Sequence, residues 1–158
     1  MTEEQLTKQI IKKLSRLKKS LAVAESITAG GLAQQLTTIP GSSKVFLGGV
    51  IAYSDDAKIS KLSISKSDLK KYSPVSEVVA IEMAKNIRTA FKSDFAISTT
   101  GVAGPGPAYG QRAGTVWVGV ASKKESFAIA LSLSGNREAI RHATIISALA
   151  ALERILKP

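Results

Sequence analysis

Cysteine is absent from the 158 residues, and histidine occurs once, as His142. The first absence removes thiol nucleophiles, disulfides and zinc-thiolate sites together, and it agrees with a reducing compartment. The second leaves no histidine cluster for a metal and makes any Ser-His-Asp triad depend on His142 alone. That residue follows Arg141 and has the apolar Ile145 and Ile146 one helical turn on, which suits a packed helix flank better than a catalytic base. No run of apolar residues approaches transmembrane length. The N-terminal "MTEEQLTKQIIKKL" carries glutamates and amphipathic spacing where a signal peptide needs an unbroken apolar core, so a cytoplasmic protein with no membrane partner is expected.

What is present is mostly ordinary for a globular chain. Hydrophobic residues make up 44% and charged residues 22%, which excludes a disordered or disulfide-stapled class. The length suits one domain over residues 1–158. Lysine and arginine outnumber aspartate and glutamate 22 to 12, a net charge of +10 that invites a nucleic-acid reading. The lysines, however, are scattered through "KKLSRLKK", "KSDLKK" and "SKKES", and no basic segment is rich in aromatics. Solvated helix faces explain them better, and the same field would favour a small anionic substrate.

The chain reads as alternating helices and strands. Thr2 and Gln5 resemble a capping box before Leu6, Ile10, Leu14 and Leu17 at helical spacing. "SLAVAES" reads as a buried strand, and "ITAGGLAQQLTTIPG" as a turn and short helix stopped by Pro40 and Gly41. A second strand lies in "VFLGGVIAYS", followed by helical turns in "DDAKISKL" and "KSDLKKYS". Ser76 opens an amphipathic helix with Val79, Ile81, Met83, Ile87 and Phe91 available to the core. "DFAISTTG" is a third strand, "TVWVGVAS" and "FAIALSLS" form a hairpin, and Asn136 or Ser134 caps a last helix. This order predicts a three-layer α/β/α domain with a mixed, mostly parallel sheet.

Ligands in such sheets gather where strands run into helices. Three turns qualify: "AESITAGG", "AYSDDAK" and "STTGVAGPG". In the first, Ser26, Thr28 and Gly30 can offer hydroxyls and backbone N–H groups to a phosphate at a helix start, or simply cap a tight turn. In the third, Thr100 and Gly101 open a glycine-rich loop that lacks the "GK[ST]" of a nucleotide P-loop. Ser43, Tyr53 and Lys58 flank the second strand, and a lysine of lowered pKa can serve a serine nucleophile as base. Ser63 to Lys66 also fits S-x-x-K, but no K-T-G accompanies it, so the match is taken as chance.

The blocks "AESITAGG", "PGSSKVFLGGVIAYSDDAK", "VSEVVAIEMA", "TGVAGPGP", "GTVWVGVA" and "SGNREAIRHAT", in this order, resemble the C-terminal domain of the CinA family of competence/damage-inducible proteins. Stand-alone members of that family are nicotinamide-nucleotide amidases, which hydrolyse the carboxamide of nicotinamide mononucleotide by a Ser/Lys mechanism. The resemblance implies a five-stranded mixed sheet with one antiparallel strand, like that of anticodon-binding domains. It also implies homo-oligomers, a small nucleotide substrate, and no metal or cofactor. It casts Ser43 as nucleophile, Lys58 as general base and Tyr53 as a positioning or proton-transfer group. Ser26, Thr100 and Arg137 correspond to further functional positions and, with Thr28, Gly30 and Gly101 of the turns, are assigned to substrate binding, Arg137 either holding the phosphate, lowering the Lys58 pKa or stabilising the oxyanion. Two departures stand out: Ile27 where "AESCTGG" has cysteine, and "QRAG" where the family's loop leads in with "KPVG". The alternative is a non-catalytic domain that binds nucleotide or nucleic acid in connection with competence.

Overall fold

The structure is a computed structural model that describes residues 1–156. Among these described residues, six α-helices enclose a sheet of five strands. Helix α1 (Glu3–Leu17) begins at the expected box: the Thr2 hydroxyl accepts from the Gln5 N–H, and the Gln5 side chain accepts from the Thr2 N–H. Strand β1 (Leu21–Glu25) and the short α2 (Gly31–Thr37) follow, then a single 3-10 turn at Ser42–Lys44 and β2 (Phe46–Ile51). Ser54 and Ser65 cap α3 (Asp55–Leu62) and α4 (Lys66–Tyr72), and Ser76 caps α5 (Glu77–Phe91). Then come β3 (Phe95–Gly101), β4 (Thr115–Ala121), β5 (Ser126–Ser132) and α6 (Arg137–Ile155), capped by Asn136 rather than Ser134.

The strand order is β2-β1-β3-β4-β5. β1 pairs in parallel with β2 and β3, whereas β4 runs antiparallel to both β3 and β5. Four strands therefore share one direction and β4 alone is reversed, so the expected mixed, mostly parallel sheet of a three-layer α/β domain is what the chain forms.

Side-chain alternation sorts the sheet into two unlike faces. On β1, Leu21 and Val23 join the larger core with Ile10, Leu14, Leu36 and Leu149, whereas Ala22 and Ala24 face Val79, Met83 and Ile87 of α5. Small residues on the second face let α5 lie close to the sheet. A Cβ on Gly119 would come within 2.3 Å of the Ala80 carbonyl oxygen. The buried stripe of α5 is Val79, Ala80, Met83, Ala84 and Ile87, and Ile81, expected in the core, is only half-buried because it projects away from that stripe. Among the described residues no helix is long and apolar enough to cross a membrane.

Candidate active site

The same alternation decides what lies beyond the end of β1. Glu25 continues the Leu21-Val23 face toward α2, and Ser26 continues the Ala22-Ala24 face toward α3 and α5. On the Ser26 side is Lys58, one turn into α3 and only 3% exposed. Its Nζ lies 3.0 Å from the Ser26 Oγ and donates to the Ala52 carbonyl, also at 3.0 Å. Burial pushes the Lys58 pKa below its ordinary value, and the nearby Asp55 carboxylate partly opposes this by favouring the ammonium.

Ser26 and Lys58 open onto a cavity of about 350 Å³ whose lining includes Tyr53, Thr100, Gly101, Tyr109 and Arg137. One rim is the loop between β3 and β4. Its base is tied by backbone bonds from Val102 N–H to the Thr115 carbonyl and from Gly114 N–H to the Val102 carbonyl. Arg137, at the start of α6, donates to the Gly104 carbonyl of that loop at 2.6 Å and to the Tyr53 hydroxyl at 3.0 Å. The Thr100 hydroxyl donates to the Pro74 carbonyl, which ties β3 to the entry of α5. At Gly101 a side chain has no room: a Cβ there would lie 2.7 Å from a Val116 methyl and 3.0 Å from the Ile27 side chain.

Ser43 requires a correction as the partner of Lys58. It is exposed on the turn before β2 and does not line the cavity, whereas Lys58 follows the other end of that strand. The six residues of β2 separate those ends by roughly 17–20 Å at about 3.3 Å per residue. The hydroxyl that meets Lys58 belongs to Ser26, expected at the substrate rather than at the base.

Thr28 and Gly30 also lie outside the lining. The expected phosphate position at the start of α2 is filled from within the chain by the Glu25 carboxylate, itself 1% exposed. One oxygen accepts from the Leu32 N–H at 2.8 Å and the Thr28 hydroxyl at 2.6 Å, and the other from the Ala33 N–H at 3.0 Å. Since Thr28 gives its proton to Glu25, the Thr99 hydroxyl 2.7 Å away donates to Thr28. Gly30 serves as N-cap of α2 at φ +96°, where a side chain would be strained.

Two residues that the motif reading passed over hold this turn. Glu25 is one. Arg141 is the other, donating from Nε to the Ile27 carbonyl at 3.1 Å and from Nη2 to the Thr28 carbonyl at 3.2 Å. The signals were an acid inside an otherwise apolar strand and an arginine four residues after Arg137, hence on the same face of α6. His142 points elsewhere, lying 3.4 Å from Glu3 of α1. Ser63 and Lys66, the S-x-x-K pair, line no part of the cavity.

Comparison with known proteins places this arrangement among relatives. The CinA C-terminal domain, as a family, matches residues 3–156. A protein of Thermoanaerobacter sp. strain X514, bearing the name competence-damage inducible protein, is 43% identical over 155 residues. Those residues are 98% of this chain but 38% of that relative, so the chain spans well under half the length of the curated relatives it matches. A likewise named protein of Clostridium botulinum strain Langeland is 45% identical over 139 residues, 87% of this chain and 34% of the relative. Among solved structures, a competence-damaged protein (CinA) superfamily protein from Escherichia coli superposes with a TM-score of 0.95 at 34% identity, covering 98% of this chain and 90% of that one. A competence/damage inducible protein from Agrobacterium tumefaciens gives 0.94 at 30% identity, covering 98% of this chain and 96% of that one.

Proposed function

We infer what the site does from the premise that the chain belongs to the CinA C-terminal domain family: it is a serine amidohydrolase that cleaves the carboxamide of nicotinamide mononucleotide to nicotinic acid mononucleotide and ammonia. The observation that carries this reading is the 3.0 Å contact between Ser26 and a buried lysine whose pKa is lowered. A serine hydroxyl is a weak nucleophile until a neighbouring base takes its proton, and a lysine does so only when its amine is neutral. Burial favours that neutral form here, against the opposing pull of the Asp55 carboxylate.

In this reading the neutral Lys58 amine accepts the Ser26 proton while one of its N–H bonds stays on the Ala52 carbonyl, which fixes the direction of its lone pair. The Ser26 oxygen attacks the carboxamide carbon and the carbonyl π pair moves onto oxygen. The N–H of Ile27, next in the chain and in the cavity lining, is taken by no backbone acceptor among the described residues and can receive that oxyanion. Lys58 then protonates the departing amide nitrogen as the C–N bond breaks, releasing ammonia and leaving an ester on Ser26. Water, deprotonated by the same amine, cleaves the ester to the carboxylic acid and regenerates Ser26. Arg137 holds Tyr53 by its hydroxyl at the rim and presents positive charge to an anionic substrate.

Ammonia release from nicotinamide mononucleotide by wild type, with Ser26→Ala as control and chelator present throughout, tests the reading directly. Release from wild type only is expected. No release from folded wild type would remove it in favour of a domain that binds nucleotide without chemistry.

A further inference from the structure

Two large aromatic side chains stand exposed at the cavity, Tyr53 at 58% and Tyr109 at 60%, and both belong to its lining. Tyr53 is held by Arg137. Among the described residues no side-chain hydrogen bond holds Tyr109, and its place is fixed instead by the backbone. Ala108 and Gln111 exchange N–H to carbonyl bonds in both directions, at 3.0 and 2.9 Å, closing a two-residue turn over Tyr109 and Gly110. Those two residues have φ of +55° and +70°, the mirror-type conformation that asparagine and glycine adopt readily and a tyrosine does not. The turn is anchored from below, where Gln111 Nε2 donates to the Val75 carbonyl at 2.9 Å.

A bulky aromatic kept in a conformation that disfavours it, at the tip of a turn pinned over a cavity, marks a position under functional constraint. The charge around it gives that constraint a direction. Partial burial of the Tyr109 hydroxyl raises its pKa, and the Asp55 carboxylate and Tyr53 add to this in the same direction. The cation of the rim, Arg137, is held by the Gly104 carbonyl and the Tyr53 hydroxyl. The cavity wall thus offers an exposed aromatic face at Tyr109 and a guanidinium at Arg137.

We propose that Tyr109 is a specificity-determining residue whose exposed ring stacks on a planar cationic ring of the substrate. Resting on the amidase reading above, the inference assigns the pyridinium ring of the nucleotide to Tyr109 and the phosphate to the Arg137 side. Attraction of a cationic ring to an aromatic face combines stacking with the ring quadrupole, and both are lost when the pyridinium is reduced to a neutral, non-aromatic dihydropyridine.

The test measures binding of nicotinamide mononucleotide and of its 1,4-dihydro form by calorimetry to Ser26→Ala protein, alone and combined with Tyr109→Phe or Tyr109→Asn. Asparagine preserves the left-handed turn while removing the ring. The parent should bind the oxidised nucleotide more tightly. Tyr109→Asn should weaken that binding about tenfold and leave the dihydro form within about twofold, and Tyr109→Phe should change neither. In the otherwise wild-type enzyme the same Asn substitution should raise KM about tenfold with kcat nearly unchanged. Equal weakening of both nucleotides, or of neither, overturns the ring assignment while leaving the amidase intact. If wild type neither hydrolyses nor binds the nucleotide, the amidase reading and this inference fall together.

Discussion

The turn after β1 and the turn before β2 each carry a candidate serine, Ser26 and Ser43, yet they stand at opposite ends of the sheet and in opposite surroundings. Ser26 is buried, bonded to a lysine that is itself buried, and its turn is held from beneath by Glu25 and from the side by Arg141. Ser43 is exposed, and the turn around it is closed by local 3-10 backbone bonds such as Lys44 N–H to the Gly41 carbonyl. The difference teaches that reactivity is a property of the surroundings. A hydroxyl becomes a candidate nucleophile where a neutral base and a fixed backbone meet it.

The strongest way to break the comparison is to exchange the serines' fates. Ser26→Ala should lower ammonia release by about a thousandfold or more, and Ser43→Ala should leave it within about twofold. The reverse pattern would return the nucleophile to the exposed turn. Lys58→Ala should cost about as much as Ser26→Ala, and the double variant little more, because residues that act as one unit are not additive.

A finer test uses pH. Activity should rise with pH as the Lys58 ammonium loses its proton, with a midpoint below the ordinary lysine value because burial penalises the charged form. Asp55 stabilises the ammonium, so Asp55→Asn should move that rise to lower pH. A shift to higher pH, or none, would show that Lys58 is not the group being titrated.

Smaller effects should come from the supports of the turn. Glu25→Gln places an amide donor against N–H donors. It should lower stability by about 1–3 kcal/mol and kcat by about tenfold. Arg141→Ala should reduce kcat by several-fold, on the order of 1 kcal/mol, with KM little changed, because it frees the Ile27 and Thr28 carbonyls without touching the cavity wall. An effect confined to KM would make Arg141 a substrate contact instead.

Much of the fold was legible in the chain because its signals are local. The Thr2 and Gln5 box, the Ser76 cap and the apolar run of β1 each report their own element. The site was less legible because its contacts are not local. Ser43, Tyr53 and Lys58 look close in sequence, but the extended strand between Ser43 and Lys58 carries them apart. Ser26, 32 positions before Lys58, meets it because β1 and β2 are parallel neighbours that end together. The helix start after β1 read as an anion site, and its actual occupant, Glu25, was hidden by its position inside the strand.

One consequence concerns how such a protein can change over evolutionary time. The loop between β3 and β4 is sealed at its root by the Val102, Gly114 and Thr115 backbone bonds, while the turn carrying Ser26 hangs from Glu25 and Arg141, which are not part of that loop. Residues between the root bonds can therefore be lengthened, shortened or rewritten without moving the serine. Of the departure at "QRAG", Gln111 to Ala113 lie within this replaceable stretch, and Gly114 belongs to the root. Such a molecule can search for new ligands with one segment while inheriting its chemistry unchanged in another.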